Sequence, residues 1–233
     1  MTSRTDRGAP AAPRPFQDRS RFPAIPVLSL LASLPAILYL FGLWHDWPSV
    51  RLIAKPVPVV CLLLWVLSGA RDRYARFIAA GLAFSAAGDV LLESPRLFVA
   101  GLAAFLCAHI SYIMAFLVQT RRLAVLQAVP FVIWLGLVYS VLRPGLGDMT
   151  APVTVYVIAI GVMMWRAAAR IDGDRAAWLA AIGSILFGMS DTLIGLDRFH
   201  APIPGVRYAI ILLYWAGQVG ISQRRPGMAP VRR

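Results

Sequence analysis

Two aspartates stand inside apolar stretches of the sequence, where ionisable side chains are rare. Asp89 and Asp191 lie 102 residues apart, and the residues around each are mostly small or apolar. A carboxylate in a membrane-spanning helix costs at least ~2.5 kcal/mol, so it is a functional candidate by default. Two carboxylates at close range do not ionise independently, which leaves one as an acid and the other as a base. The pair therefore predicts a site of general acid–base catalysis.

Other polar residues fall at helical spacing within apolar stretches. His109 and Tyr112 are three residues apart, and Tyr214 and Gln218 are four apart, so each pair shares one helix face. Each pair is alternatively a hydrogen-bonded packing contact between helices. Lys55 is the only lysine of the chain; it either anchors the end of a span or pairs with a carboxylate or a lipid phosphate. The expected supporting or substrate-binding residues are Lys55, His109, Tyr112, Ser190, Tyr214 and Gln218.

No ligand set for a metal or a cofactor accompanies these residues in the sequence. His109 is the only histidine inside an apolar run, and Cys61 and Cys107 have no CxxC or Cys/His spacing. Metal sites in proteins need several such ligands at defined spacing. The sequence therefore predicts neither a metal ion nor a cofactor.

The elements that must position these residues are long apolar helices. Hydrophobic residues make up 59% of the 233-residue chain, and the mean hydropathy is +0.69, which is typical of a multi-pass membrane protein. We predict an all-α fold with eight transmembrane helices and basic cytoplasmic tails at 1–24 and 223–233. The predicted spans are about 25–43, 52–69, 75–92, 97–118, 123–142, 152–165, 176–196 and 204–222.

The net charge of +12 is explained by the membrane topology rather than by a nucleic-acid partner. Most arginines lie in the N-terminal segment, the C-terminal segment and every second connection between the spans. This is the positive-inside pattern, and it predicts that both termini lie in the cytoplasm. The preference for Arg over Lys and the richness in Ala are typical of a high-GC bacterium. We therefore expect a protein of the bacterial cytoplasmic membrane that binds no nucleic acid.

An internal repeat relates the two aspartates. An offset of 102 residues places Asp89 on Asp191 and Tyr112 on Tyr214, and it also aligns Asp72-Arg73 with Asp174-Arg175. The halves, about 25–118 and 123–222, each hold four spans, so both enter the membrane in the same direction. A parallel repeat has its axis along the membrane normal. We therefore expect the two carboxylates at the same depth, facing each other in the outward half of the membrane.

The surroundings of the two aspartates differ between the halves. The positions that correspond to Lys55, His109 and Gln218 are Val157, Ile211 and Phe116. Unlike neighbours decide which of two interacting carboxyls keeps a proton. This difference suits an acid and a base, although which aspartate plays which role stays open.

Taken together, these motifs resemble the YhhN family, the lysoplasmalogenases, over about residues 25–222. The resemblance rests on their order and spacing: Lys55-Pro56, Gly88-Asp89, His109 with Tyr112, Ser190-Asp191, and Tyr214 with Gln218. It implies hydrolysis of the vinyl-ether bond of a lysoplasmalogen, which gives a fatty aldehyde and glycerophosphoethanolamine or glycerophosphocholine. That reaction needs a proton delivered to carbon and a water activated against the resulting cation, and both tasks suit Asp89 and Asp191 as catalytic residues.

Two other interpretations compete with a hydrolase. A duplicated bundle with intramembrane polar residues also describes a transporter or a lipid-binding protein. Broken helices at equivalent places in both halves are typical of transporters, whereas Pro56 and Pro58 correspond to Ile158 and Ile160. This difference favours a fixed site. The third interpretation is a structural membrane protein in which the aspartates only pair helices.

Overall fold

The fold is all-α, as predicted, throughout the part of the chain that the structure describes. A computed structural model describes residues 25–69 and 72–223, so the predicted tails at 1–24 and 223–233 lie outside the described residues apart from Gln223. The α-helices are α1 Ile25–Trp44, α2 Pro48–Ala54, α3 Val57–Ser68, α4 Arg73–Leu92, α5 Phe98–Gln119, α6 Val129–Leu142, α7 Thr150–Ala168, α8 Arg175–Phe199 and α9 Val206–Ile221. Short 3-10 turns occur at Pro95–Leu97, Val125–Gln127, Arg143–Gly145 and Gly147–Met149.

Six helical segments among the described residues are long and apolar enough to cross a membrane. They correspond to the predicted second to seventh spans. The predicted first and eighth spans contain the shorter apolar helices Leu31–Trp44 and Val206–Ile221. The segments are Pro48–Ser68, Arg73–Leu92, Pro95–Gln119, Val125–Gly145, Gly147–Ala168 and Arg175–Phe199.

The sixth predicted span was too short at both ends. The sixth span was predicted at 152–165, but α7 runs over Thr150–Ala168. Its last turn includes Arg166, whose guanidinium donates to the carbonyls of Thr120 and Arg122 at 2.6 and 2.7 Å. These bonds hold an arginine within the packed end of the helix, where hydropathy alone predicts a connection.

The second segment is broken at Lys55-Pro56. Proline has no amide hydrogen for the helical bond and its ring crowds the preceding turn, so α2 ends at Ala54 and α3 begins at Val57. The Lys55 amide still donates to the Arg51 carbonyl at 3.0 Å. The regular helical hydrogen bonding is therefore interrupted at Lys55-Pro56, although both residues keep helical backbone angles.

The two helices that carry the aspartates each pack closely on the following long helix. α4 lies along α5, and α8 lies along α9. Between α8 and α9 the backbones touch: a Cβ on Gly183 would lie 2.6 Å from the carbonyl oxygen of Gly217. Between α4 and α5, Gly81 makes room for the ring of Tyr112. Small residues allow such close approach between membrane helices, and it brings the polar side chains of α4, α5, α8 and α9 together.

Candidate active site

Asp89 is enclosed and held by one tyrosine. Its side chain projects from α4, and the residue is 1% exposed. The hydroxyl of Tyr214 on α9 donates to Asp89 Oδ2 at 2.8 Å. A hydrogen bond from a neutral hydroxyl stabilises the ionised form of a carboxyl group. The Asp89–Tyr214 bond also joins the two halves of the chain.

A second tyrosine extends this polar cluster. Tyr112 on α5 is fully buried and donates its hydroxyl to Gln218 Oε1 at 2.7 Å. Its oxygen then accepts from Ser85 Oγ at 3.4 Å. The amide nitrogen of Gln218 has no hydrogen-bond partner among the described residues. Gln218 is fully buried, so its amide nitrogen can donate a hydrogen bond to a ligand inside the bundle.

Asp191 belongs to a different set of contacts. Its side chain is 6% exposed, and its Oδ2 accepts from the hydroxyl of Tyr156 on α7 at 2.9 Å. If the contacts followed the repeat, Tyr112 would bind Asp191 as Tyr214 binds Asp89. Instead Tyr112 binds Gln218. The two carboxylates are therefore not bound in symmetric ways.

His109 lies beside Asp191, and the hydrogen on its Nδ1 follows from geometry. Its Nδ1 is 2.7 Å from the carbonyl oxygen of Phe105, and a carbonyl only accepts, so Nδ1 carries the hydrogen. Nε2 lies 3.4 Å from Asp191 Oδ2. Nε2 has no hydrogen-bond partner among the described residues, and it faces the carboxyl group closely enough to form an ion pair whenever the imidazole is protonated.

Aromatic rings separate the two carboxylates. The ring of Phe187 packs against those of His109 and Tyr214, with centroids 4.9 and 5.3 Å apart. Phe105 packs edge-on against Phe187 and Tyr214. Phe187 therefore packs against both His109, which lies beside Asp191, and Tyr214, which binds Asp89.

Lys55 lies at the outer edge of this cluster and pairs with Glu93 rather than with either aspartate. Its Nζ is 3.0 Å from Glu93 Oε1, and both side chains are 13% exposed. Arg51 contacts the other oxygen of Glu93 at 3.4 Å and Asp46 at 2.6 Å. Asp46 lies in the connection between α1 and α2, where the Arg51 hydrogen bond lowers the pKa of its carboxyl. Glu93 follows α4 directly, and its carboxylate lies between these two cations.

Asp191 faces a cavity of about 50 Å³ between α5, α6, α7 and α8. One water needs about 10–15 Å³ of such space, so the cavity has room for several. The Tyr156 hydroxyl and Thr192 add the other polar side chains of the lining, which is otherwise apolar. Apolar clefts with a few polar groups are typical of ligand sites. Most of α6 is exposed to the surroundings of the bundle, so this wall is the least packed side of the cavity.

The structure brings six of the predicted site residues into one connected region. Lys55 is set at its edge, and Ser190 donates to the Ile210 carbonyl at 2.9 Å, a contact between α8 and α9. Sequence reasoning missed Tyr156, which contacts both Asp191 and the ring of His109. The six residues are Asp89, His109, Tyr112, Asp191, Tyr214 and Gln218.

No group of three or more metal-ligating side chains occurs among the described residues. The polar groups that meet at the site are two carboxyls, one imidazole, tyrosine hydroxyls and an amide. Such a set can exchange protons and bind oxygen atoms. The fold and this site together define a multi-pass membrane protein with a buried cluster of polar side chains.

The comparisons with known proteins agree with that class. The sequence model of the YhhN family matches residues 50–224. Lysoplasmalogenase TMEM86A of Bos taurus is 37% identical over 198 residues, which cover 78% of this chain and 82% of that protein. Lysoplasmalogenase TMEM86B of Homo sapiens is 35% identical over 177 residues, 73% of each chain. A lysoplasmalogenase of Mycobacterium tuberculosis is 34% identical over 155 residues, 62% of this chain and 57% of that one. No solved structure matches the chain significantly.

The chain belongs to the YhhN family. It is a lysoplasmalogenase-like member, and the family resemblance predicted from its motifs is confirmed.

Proposed function

We propose that this protein hydrolyses the vinyl-ether bond of lysoplasmalogens to a fatty aldehyde and glycerophosphoethanolamine or glycerophosphocholine. The relatives that match most of the chain are named lysoplasmalogenases. The observation that carries the proposal is the position of Asp191, which lines a small, mostly apolar cavity and lies 3.4 Å from His109 Nε2. Hydrolysis of a vinyl ether needs a proton donor and a water at the same apolar bond.

The acid of this mechanism is Asp191 together with His109. One proton held between them is available to the vinylic carbon that is β to the ether oxygen. Its transfer leaves an oxocarbenium ion. The double bond lies at the apolar wall of this cavity beside the carboxyl group, and the alkenyl chain continues past the exposed face of α6.

The base is Asp89, acting through Tyr214. The negative charge of Asp89 stabilises the oxocarbenium ion across the low-dielectric interior. Water then adds to the carbon next to the ether oxygen. Its proton passes to the oxygen of Tyr214 as the Tyr214 hydroxyl hydrogen moves to Asp89. Asp89 thereby becomes a carboxylic acid, and a hemiacetal is formed.

Collapse of the hemiacetal restores both groups. The bond between carbon and the glycerol oxygen breaks, and the leaving oxygen takes the proton from Asp89 through Tyr214. The hydroxyl proton of the hemiacetal passes to Asp191, which leaves the aldehyde. One water is consumed and the site returns to its first protonation state.

The supporting residues bind the oxygen-rich end of the substrate. The free amide donor of Gln218 and the hydroxyl of Tyr112 bind glycerol oxygens, and Ser190 fixes α8 against α9 so that Asp191 keeps its position. Lys55, with Glu93, lies at the outer edge, where the phosphate of a lysolipid head would enter.

The membrane topology belongs to the same proposal. We infer eight crossings in two parallel halves, a cytoplasmic N-terminus and C-terminus, and a site in the outward half of the bacterial cytoplasmic membrane. The supporting observation is that α4 and α8 begin at Arg73 and Arg175, 102 residues apart, each directly after an aspartate. Sided labelling of single cysteines at Asp148 and Arg175, in a chain without its two native cysteines, tests it. The first is expected to react from outside and the second from inside.

The deciding experiment measures aldehyde release from lysoplasmenylethanolamine by the purified full chain in detergent. We expect turnover by the wild type, loss of at least about 100-fold in Asp89→Asn and Asp191→Asn, and full activity in the exposed control Asp148→Asn. Full activity in either folded site variant would remove that aspartate from the mechanism. Wild-type inactivity on vinyl ethers, combined with lipid uptake into proteoliposomes, would favour the transporter interpretation instead.

A further inference from the structure

A groove on the opposite end of the bundle combines arginines with an apolar floor. It runs between the first turns of α4 and the last turns of α5 and has a volume of about 830 Å³. Its charged residues are Arg73, Arg76 and Arg121, and no acidic residue lines it. The apolar part of the lining is formed by Phe77, Ala80, Met114, Leu117 and Val118.

The three guanidinium groups are available for a ligand. Arg73, Arg76 and Arg121 are exposed, and none of them forms an ion pair among the described residues. Guanidinium groups bind phosphate oxygens in pairs, which makes phosphate the best fit to such a cluster.

The internal repeat argues that the cluster is more than the ordinary excess of basic residues at the inner surface. At the offset of 102 residues, the positions of Arg73, Arg76 and Arg121 correspond to Arg175, Trp178 and Gln223. The corresponding positions of the second half therefore keep one of the three arginines. Positive-inside bias alone gives no reason for this difference between the halves.

We propose that this groove binds an anionic diacyl phospholipid of the inner leaflet, of the phosphatidylglycerol class. The phosphate binds the three arginines, and one acyl chain lies along Phe77 and Leu117. Basic pockets between membrane helices at the inner surface are suited to anionic head groups. Three positive charges without a carboxylate favour a lipid with net negative charge over a zwitterionic one.

Native mass spectrometry of the detergent-solubilised full chain tests the proposal, with phosphatidylglycerol and phosphatidylcholine of the same acyl chains as probes. The wild type is expected to retain phosphatidylglycerol preferentially. Each arginine near a membrane surface contributes about 1 kcal/mol to the attraction of anionic lipid, or about fivefold in affinity. The variant R73Q/R76Q/R121Q is therefore expected to lose about a hundredfold and with it the preference.

Two controls separate a site from diffuse charge. The variant R96Q/R143Q/R175Q removes the same charge from exposed positions elsewhere and is expected to bind phosphatidylglycerol as the wild type does. The variant Ala80→Trp keeps all arginines but fills the groove, and it is expected to weaken binding. Equal losses in the two triple variants, or unchanged binding in Ala80→Trp, would overturn the proposal. Unchanged binding in R73Q/R76Q/R121Q would do so as well.

Discussion

His109 and Asp191 are expected to act as one unit, so that replacing both costs little more than replacing either. The test uses His109→Gln, Asp191→Asn and the double variant. The Nδ1 hydrogen of His109 is held by the Phe105 carbonyl, and its Nε2 faces Asp191 at 3.4 Å. Removing either residue therefore removes the place where the shared proton is stored.

The expected size of the effect follows from general acid catalysis, which contributes about 10²–10⁴-fold to rates. If each single variant lowers kcat/KM by about 10³-fold, independent residues would give about 10⁶-fold in the double variant, whereas a shared proton gives about 10³-fold. The difference of three decades corresponds to a coupling free energy of about 4 kcal/mol. Residues in direct contact reach coupling of that order only when they perform one task.

The assay is the initial rate of aldehyde release at substrate concentrations below KM. Elution as a single species and an unchanged helical signal show that each variant is folded. A double variant that loses the product of the two single effects would refute the shared proton. So would a His109→Gln variant with wild-type activity, because the carboxyl group would then hold its proton without the imidazole.

Three further predictions concern contacts around the site. Tyr156→Phe removes the hydrogen bond to the Asp191 carboxylate. It is expected to lower kcat/KM about 10–100-fold, since hydrogen bonds to charged groups contribute about 1.5–3 kcal/mol. Unchanged kinetics would show that Tyr156 only packs against the site. Glu93→Gln removes the carboxylate shared by Lys55 and Arg51. It is expected to lower the free energy of unfolding by about 2 kcal/mol, which is less than the loss for a fully buried pair. A denaturing-detergent titration measures this change, and an unchanged midpoint would contradict the ion-pair role. Gly183→Leu places side-chain atoms against the Gly217 carbonyl, so the protein is expected no longer to elute as a single folded species in size-exclusion chromatography. The control is Gly136→Leu, which is expected to elute as the wild type does because a Cβ at Gly136 meets nothing within 4 Å.

The residues that the sequence predicted best are those whose presence in an apolar helix is costly. Asp89, Asp191, His109 and Gln218 are all buried or nearly so, and a polar group in such a place needs a partner. The free-energy cost of burying these polar side chains therefore identifies them in the sequence before the fold is known. The all-α class follows in the same way, because long apolar runs leave the helix as the structure that satisfies its own backbone.

The residues that the sequence missed carry no such cost. Tyr156 is aromatic and amphipathic, so it is ordinary in an apolar helix, and its counterpart in the repeat is Ala54. Glu93 stands at the end of α4, where a charge is also ordinary. Its partnership with Lys55 depends on how α2 meets α4, which is a property of packing that no local pattern contains.

The asymmetry between the halves is the feature that gives the duplicated aspartates different chemistry. An undisturbed repeat would place each aspartate against the tyrosine of the other half, and two equivalent carboxyls would then compete for one proton. Here Tyr214 binds Asp89, whereas Tyr112 binds Gln218. Gln218 has Phe116 as its counterpart, so the amide that captures Tyr112 occurs only in the second half. Asp191 is left to Tyr156 and His109, and only His109 can bring a proton-accepting nitrogen to a carboxyl group.

We infer that Gln218→Phe, which restores the symmetry of the repeat, would release Tyr112 and weaken the distinction between acid and base. Loss of turnover with retained folding would support this inference, and undiminished turnover would contradict it.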